Sequence, residues 1–260
     1  MSVIDRFRLD GKRLFITGGS RGLGREMALA IAEAGADVTL VGRDLPSLEQ
    51  TAQAIRDRGR QAQFIVADVS LPEEAERACR EALNGPAPID ILINNVGGRR
   101  VDIPTAEMPL ETWQNILDLN LTSTFLCTKL IGGAMVARGG PGRVINVASV
   151  SGMIVNRGIG GRSYETSKAA VIHFTRSTAA DWAPKGVTVN AICPGGFMTE
   201  PNQRWAKLNP GMIESFKSQI PAGDFGDPQD LGPLAVYLAS DASKYMTGAT
   251  LVIDGGYTLW

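Results

Sequence analysis

Short apolar runs alternate along the chain with longer stretches in which apolar positions recur at helical spacing. The apolar runs fall at residues 12–17, 37–41, 63–67, 89–94, 143–147, 187–192 and 250–253. Each is apolar almost throughout instead of alternating. That marks a strand covered on both faces, and hence a parallel sheet. The stretches between them predict helices over 25–34, 45–58, from Pro72 onward, and over 110–137, 163–182 and 228–239. Gly35 and Gly59 stop the first two, and Pro72 opens the third, where a missing N–H does no harm.

This alternation, with right-handed crossovers, predicts an α/β fold. It is a Rossmann-type doubly wound parallel sheet of about seven strands flanked by helices on both faces. The chain has 260 residues and 44% hydrophobic content. A chain of that length buries roughly 75% of its unfolded surface in one core. A single domain over 1–260 is therefore expected. The stretch 194–227 carries no clear period and leaves the C-terminal end of the sixth strand, where ligands bind in such sheets. It is read as a substrate lid.

Charge narrows the picture. Charged residues make up 20% and the formal net charge is -1, which gives no electrostatic footprint for nucleic acid or an anionic membrane. No run reaches the ~18 apolar residues of a membrane span. The first ten residues contain Asp5, Arg6 and Arg8 and no apolar leader core, so a cytoplasmic protein is expected. Cys79, Cys127 and Cys193 have neither metal spacing nor a disulfide framework, which suits a reducing compartment. The sole histidine, His173, is read as a packed helix residue, and no metal site is expected.

Chemistry first shows itself after the first strand, in Thr17-Gly18-Gly19-Ser20-Arg21-Gly22-Leu23-Gly24. A glycine turn that opens a helix presents unpaired N–H groups at the positive helix end, with no Cβ to keep a pyrophosphate away. The spacing T-G-x-x-x-G-x-G differs from the general G-x-G-x-x-G fingerprint, but its place between strand and helix is the same. The second strand ends in Arg43, with Asp44 one residue further on. An acid at that end grips the ribose 2′-OH of NAD, whereas an arginine accommodates the 2′-phosphate of NADP. With Arg21 projecting from the glycine turn, two guanidinium groups are available for a phosphate. NADP(H) is expected in preference to NAD(H).

Tyr164 and Lys168 stand four apart on a predicted helix and so share a face. A free phenol titrates near ~10 and is no base at neutral pH. A neighbouring ammonium favours the phenolate, which is the tuning a general acid/base requires.

Taken together these residues resemble the short-chain dehydrogenase/reductase family, over essentially the whole chain. Gly18, Gly22 and Gly24, with Ser20, Arg21 and Leu23 between them, match its cofactor turn. Asp68-Val69 looks like the pair whose acid reaches the adenine. Asn94-Asn95-Val96-Gly97 is similar to its N-N-A-G element, with valine for alanine. Asn120 matches the helix asparagine, Ser149 the serine after the fifth strand, and Tyr164 and Lys168 complete the tetrad. Pro194-Gly195-x-x-x-Thr199 resembles the segment that binds the nicotinamide carboxamide.

The resemblance implies an NAD(P)-dependent oxidoreductase acting on a secondary alcohol or ketone. In it Tyr164 is the acid/base, and Ser149 hydrogen-bonds the same substrate oxygen. Lys168 binds the nicotinamide ribose, and Asn120 holds a relay water. Ser151 is a second candidate for the serine, because alternation along an extended segment puts it on the same side as Ser149.

Substrate signals are fewer. Arg99, Arg100, Arg157, Arg162 and Arg204 fall near the expected site, and arginine grips carboxylates in a fork. The plainer reading is that they are solvated or paired with Glu107, Glu111 or Glu165. Residues 94–100 and 158–162 look most like gluconate 5-dehydrogenases, which interconvert a sugar acid and its keto form. The alternative is a 3-oxoacyl-[acyl-carrier-protein] reductase. A non-catalytic dinucleotide-binding regulator is disfavoured by the complete acid/base set. The resemblance also implies a homotetramer. Small residues such as Ala169, Ala170, Ala179 and Ala180 suit close helix packing, and the apolar end 255–260 is expected to anchor in a neighbour.

Overall fold

A computed structural model describes residues 2–98, 101–156, 160–208 and 210–259. Seven strands form one sheet: β1 (Arg13–Thr17), β2 (Asp37–Gly42), β3 (Ala62–Val66), β4 (Ile91–Asn94), β5 (Gly142–Val147), β6 (Val187–Pro194) and β7 (Thr250–Ile253). Their spatial order is β3-β2-β1-β4-β5-β6-β7, and every recorded pairing is parallel. The inner strands β1, β5 and β6 are buried at every position, as their largely apolar composition leads one to expect. The edge strand β3 carries exposed residues.

Helices cover both faces. On one side α1 (Gly22–Glu33), α2 (Leu45–Arg56) and α10 (Leu231–Ala239) enclose a core that includes Met27, Ile31, Leu48 and Leu238. On the other, α3 (Pro72–Leu83) and a long rod over Leu110–Ala137 enclose Phe15, Leu92, Ile131 and Val144. The long α7 (Arg162–Trp182) packs beside that rod along β6. Strand order reverses between β1 and β4, which opens a crevice at their C-terminal ends.

The rod is not a uniform helix. Its α-helical pieces α4 (Leu110–Leu117), α5 (Ser123–Cys127) and α6 (Gly133–Ala137) are joined by π turns at Asp118–Thr122 and Thr128–Gly132. Among the described residues it is also the one helix with the length and mean hydropathy, 1.2, of a membrane span. Polar and charged residues such as Glu111, Asp118, Asn120 and Lys129 interrupt it, so it holds no unbroken apolar run of that length. Half of the apolar window is buried inside the protein, so its hydropathy reflects a core position.

The stretch 194–227 is less irregular than expected. It holds α8 (Glu200–Leu208) and α9 (Pro210–Lys217). Each is too short to show a clear period, and prolines fall at positions 201 and 210. A proline is compatible with a first helical turn but ends the helix before it, so one amphipathic signal is cut into two. The base of the stretch is pinned: Met198 N–H donates to Gly226 O at 3.0 Å, and Gly226 N–H to Gly196 O at 3.0 Å. Among the described residues of the C-terminal segment, only Tyr257 is seated in the core of its own chain. Tyr257 is 6% exposed and packs with Val150 and Ile220 of its own chain, whereas Leu259 is exposed.

Candidate active site

Most of the candidate residues stand at the C-terminal ends of strands. The β1 end leads into the glycine turn. Gly18 has φ +65° and Gly22 φ +56°, a left-handed backbone that favours glycine. A Cβ on Gly24 would lie 2.2 Å from Gly18 O, so α1 approaches the turn as closely as backbone allows. No side chain caps α1, which leaves its first N–H groups facing the crevice. The turn is held from outside. Asn95 Nδ2 donates to Thr17 O and Gly18 O, both at 3.1 Å, and Thr51 Oγ1 donates to Ser20 O at 3.0 Å. Asn95 thus acts as a brace for the turn.

Beside the turn a cleft of about 530 Å³ is lined by Ser20, Arg21, Arg43, Asp68, Val69 and Gly97 among others. Arg43 Nη1 donates to Asp68 Oδ2 at 3.1 Å. Burial pushes the Asp68 carboxyl up, but hydrogen bonds from Ser70 and the Arg43 charge outweigh it and leave the group below its ordinary value. Asp44 is engaged elsewhere: it caps α2 by accepting from Ser47 N–H at 3.1 Å. Both residues border the cleft, but the Asp44 carboxylate is taken up by its cap, whereas the Arg43 side chain is held only by its surface pair with Asp68.

A second cleft, of about 240 Å³, brings together Ser149, Tyr164 and Lys168 with Gly97, Pro194, Gly195, Arg21, Leu23 and Gly24. Lys168 is fully buried and donates to Val147 O at 2.8 Å. Burial lowers it from 10.5 to about 8, with the neighbouring Cys193 acting the other way. Its Nζ stands 6.0 Å from the centroid of the Tyr164 ring. A Cβ on Gly97 would meet Lys168 Nζ at 2.6 Å and Asn120 Oδ1 at 2.9 Å, so these three residues are in contact. Asn120 is buried in the first π turn. Its Oδ1 accepts from Gly98 N–H at 2.8 Å, and its Nδ2 donates to Gly98 O and Ile116 O. Such turns recur at functional sites because the extra residue re-aims one side chain. Thr199 lies beside the glycine turn, with its Cγ2 3.6 Å from where a Gly22 Cβ would be.

The two serines are separated by the structure. After Ser149 the chain enters a 3₁₀ turn, Val150–Gly152, so strand alternation does not carry to Ser151. Ser149 lines the cleft and its Oγ accepts from Ser151 N–H at 3.1 Å. The Ser151 hydroxyl accepts instead from Asn156 Nδ2 at 3.0 Å.

Of the candidate arginines, Arg99 lies outside the described residues, as do Arg100 and Arg157. Arg162 pairs with Glu165 at 2.8 Å, and Arg204 pairs with Glu200 within α8. Two residues near the site had no such reading from sequence. Asn156 carried no motif signal at all. Glu165 was visible only as a partner for an arginine, although it directly follows Tyr164.

A doubly wound sheet with a glycine turn at its switch point, faced by a tyrosine and a buried lysine, defines a dinucleotide-linked oxidoreductase. A family model described as Enoyl-(Acyl carrier protein) reductase matches residues 18–258. Galactitol 2-dehydrogenase (L-tagatose-forming) from Cereibacter sphaeroides is 39% identical over 98% of this chain and 98% of its own. The crystal structure of a short-chain type dehydrogenase/reductase from Mycobacterium marinum is 40% identical and superposes with a TM-score of 0.89 over 99% of both chains. That of a gluconate 5-dehydrogenase from Burkholderia cenocepacia, in complex with NADP and tartrate, is 34% identical with a TM-score of 0.90 over 100% of both. The chain belongs to the short-chain dehydrogenase/reductase family.

Proposed function

We propose that this protein uses NADP(H) to interconvert a secondary hydroxyl and a ketone on a small polyhydroxylated substrate, in the first place a sugar acid such as gluconate and its 5-keto form. One observation carries the reading: a single cleft gathers Tyr164, Lys168 and Ser149 against the glycine turn. The fit to a dinucleotide rests on the chain's own shape. The uncapped helix start and the glycine cradle suit a pyrophosphate. Arg43 and Arg21 line the cleft in which a 2′-phosphate would sit, while Asp44 is occupied as a cap. The relatives named for galactitol and gluconate support a polyol or sugar acid as the substrate class.

When bound, the nicotinamide supplies or takes up the hydride. The Tyr164 hydroxyl gives a proton to the carbonyl oxygen in reduction and becomes the phenolate; in oxidation the phenolate takes the proton from the alcohol. Ser149 donates a hydrogen bond to the same oxygen and stabilises charge that develops there. The Lys168 ammonium favours negative charge on the phenol and is placed to hold the nicotinamide ribose. Asn120 fixes the backbone at Gly98 and, touching the same Gly97 wall as Lys168, borders the path by which a proton returns to solvent.

The lid over 194–227 closes on this cleft, and Arg162 and Arg204, with Arg99, are the candidates for a substrate carboxylate. Phe125 is 44% exposed on α5 and meets Phe174 of α7 edge-on, which supports a homotetramer built on that face. Cytoplasmic location goes with this reading.

NADP-dependent oxidation of D-gluconate and of galactitol at alkaline pH, followed by absorbance with Tyr164→Phe alongside, tests the proposal. Turnover of either by the wild type alone supports it. If both are inert and a 3-oxoacyl thioester is reduced with NADPH, the acyl reductase reading replaces it.

A further inference from the structure

Tyr164 faces the cleft, and the next residue in the helix points about 100° away, into the protein. That residue is a carboxylate, and its side chain is only 8% exposed. A buried charge is costly unless it is paired and hydrogen-bonded. Glu165 meets that condition by reaching the loop that follows Ser149. Its Oε1 accepts from Asn156 N–H at 3.0 Å and from Asn156 Nδ2 at 2.8 Å, and its Oε2 accepts from Arg162 at 2.8 Å.

Asn156 passes the constraint on. Its second amide proton goes to Ser151 Oγ at 3.0 Å, and its Oδ1 accepts from Tyr257 OH at 3.4 Å. Ser151 N–H in turn donates to Ser149 Oγ. Ser149, Ser151, Asn156, Glu165 and Tyr257 are all buried. The loop also lies directly on α7 at Lys168: a Cβ on Gly152 would be 2.6 Å from the Lys168 carbonyl carbon. The serine loop is therefore fixed to the catalytic helix at two points, by close packing at Gly152 and by a charge at Glu165.

We propose that Glu165 is a positioning residue: through Asn156 and Ser151 it sets where the Ser149 hydroxyl stands relative to Tyr164. This rests on the reading that Ser149 and Tyr164 address one substrate oxygen. Burial pushes the Glu165 carboxyl up, but the hydrogen bonds from Asn156 and Arg162 outweigh it and keep it below its ordinary value. The tether is thus charged, and charge-assisted bonds are the shorter and stiffer kind. A small misplacement of a catalytic group can cost up to ~100-fold in rate.

Two measurements decide it. In the first, Glu165→Gln is made in the wild type and in Ser149→Ala. The expected result is a fall in kcat of about tenfold in the wild type, with NADPH affinity by fluorescence within about twofold, and little further loss in Ser149→Ala, because coupled residues are non-additive. An equal loss in both backgrounds, or none in the wild type, overturns the proposal.

The second is hydrogen exchange on the ligand-free protein, which needs no substrate. Glu165→Ala is expected to speed exchange at the Asn156 and Ser151 amides while leaving strand β6 protected. Unchanged exchange at those amides overturns the tether whatever the kinetics. Faster exchange in a protein whose wild type oxidises no alcohol upholds the tether and counts against the proposed reaction.

Discussion

Lys168 joins α7 to the end of strand β5: its Nζ donates to Val147 O at 2.8 Å, two residues before Ser149. The same helix carries Tyr164 one turn earlier. One buried side chain therefore ties the helix that carries Tyr164 to the strand that leads to Ser149, the two groups proposed to address the substrate oxygen.

That burial has a consequence for stability. Lys168 is lowered from 10.5 to about 8, chiefly by desolvation. Below pH 8 the folded and unfolded chains both carry the proton, and the folded state bears the full cost of the buried charge. Between pH 8 and 10.5 the folded chain sheds its proton first, so stability rises with pH by about 3 kcal/mol. Lys168→Met removes this dependence. The difference in unfolding free energy, wild type minus variant, is expected to increase across that window in denaturant titrations of the ligand-free protein. A flat difference would show that the ammonium is solvated.

Tyr164→Phe removes one oxygen and keeps the ring beside Lys168. General acid/base groups contribute about 10²–10⁴ in rate. A loss of kcat in that range is expected, with NADPH binding by fluorescence nearly unchanged. Retention of a tenth of wild-type turnover would assign the proton transfer to another group.

The fold was largely legible because its strands are buried on both faces and its breaks fall at glycine and proline. All seven apolar runs became strands in one parallel sheet. The glycine turn and the tyrosine–lysine pair were legible because their spacing is local to one turn or one helix. Ser151 was harder to place, since the choice depends on where the strand gives way to the 3₁₀ turn at Val150. The Glu165–Asn156 tether could not be read at all, because it joins residues nine apart across a loop with no period. The π turn that buries Asn120 leaves no mark on the apolar pattern of 110–137, which reads as one helix.

Arg43 is expected to decide the coenzyme. Its side chain is 61% exposed and bound to Asp68 by a surface ion pair, the kind of contact that costs little to leave. A 2′-phosphate offers it a stronger, charge-assisted partner. Losing such a bond costs ~1.5–3 kcal/mol, about 10- to 100-fold in affinity. Arg43→Ala should raise the KM for NADP by that factor and leave the KM for NAD within about twofold. Because the site is open, added salt should weaken NADP binding to the wild type more than to the variant. Equal effects on the two coenzymes would move the phosphate contact to Arg21.

Gly97 offers the sharpest test of how the tetrad is assembled. It follows β4 and forms the wall between Lys168 and Asn120, with no room for a methyl group: a Cβ there would lie 2.6 Å from Lys168 Nζ and 2.9 Å from Asn120 Oδ1. Its backbone is not left-handed, so alanine brings crowding without conformational strain. Overpacking of this kind costs ~1–3 kcal/mol, and here the groups that must yield are the ammonium and the buried amide. Gly97→Ala should therefore fold, with a modest fall in melting temperature, and lose kcat by about 10- to 100-fold as Lys168 is pushed from its place beside Tyr164. Stability and turnover measured on one preparation settle it. Lost stability with full turnover would mean that the wall gives way on the Asn120 side, and that the exact seat of Lys168 matters less than its charge.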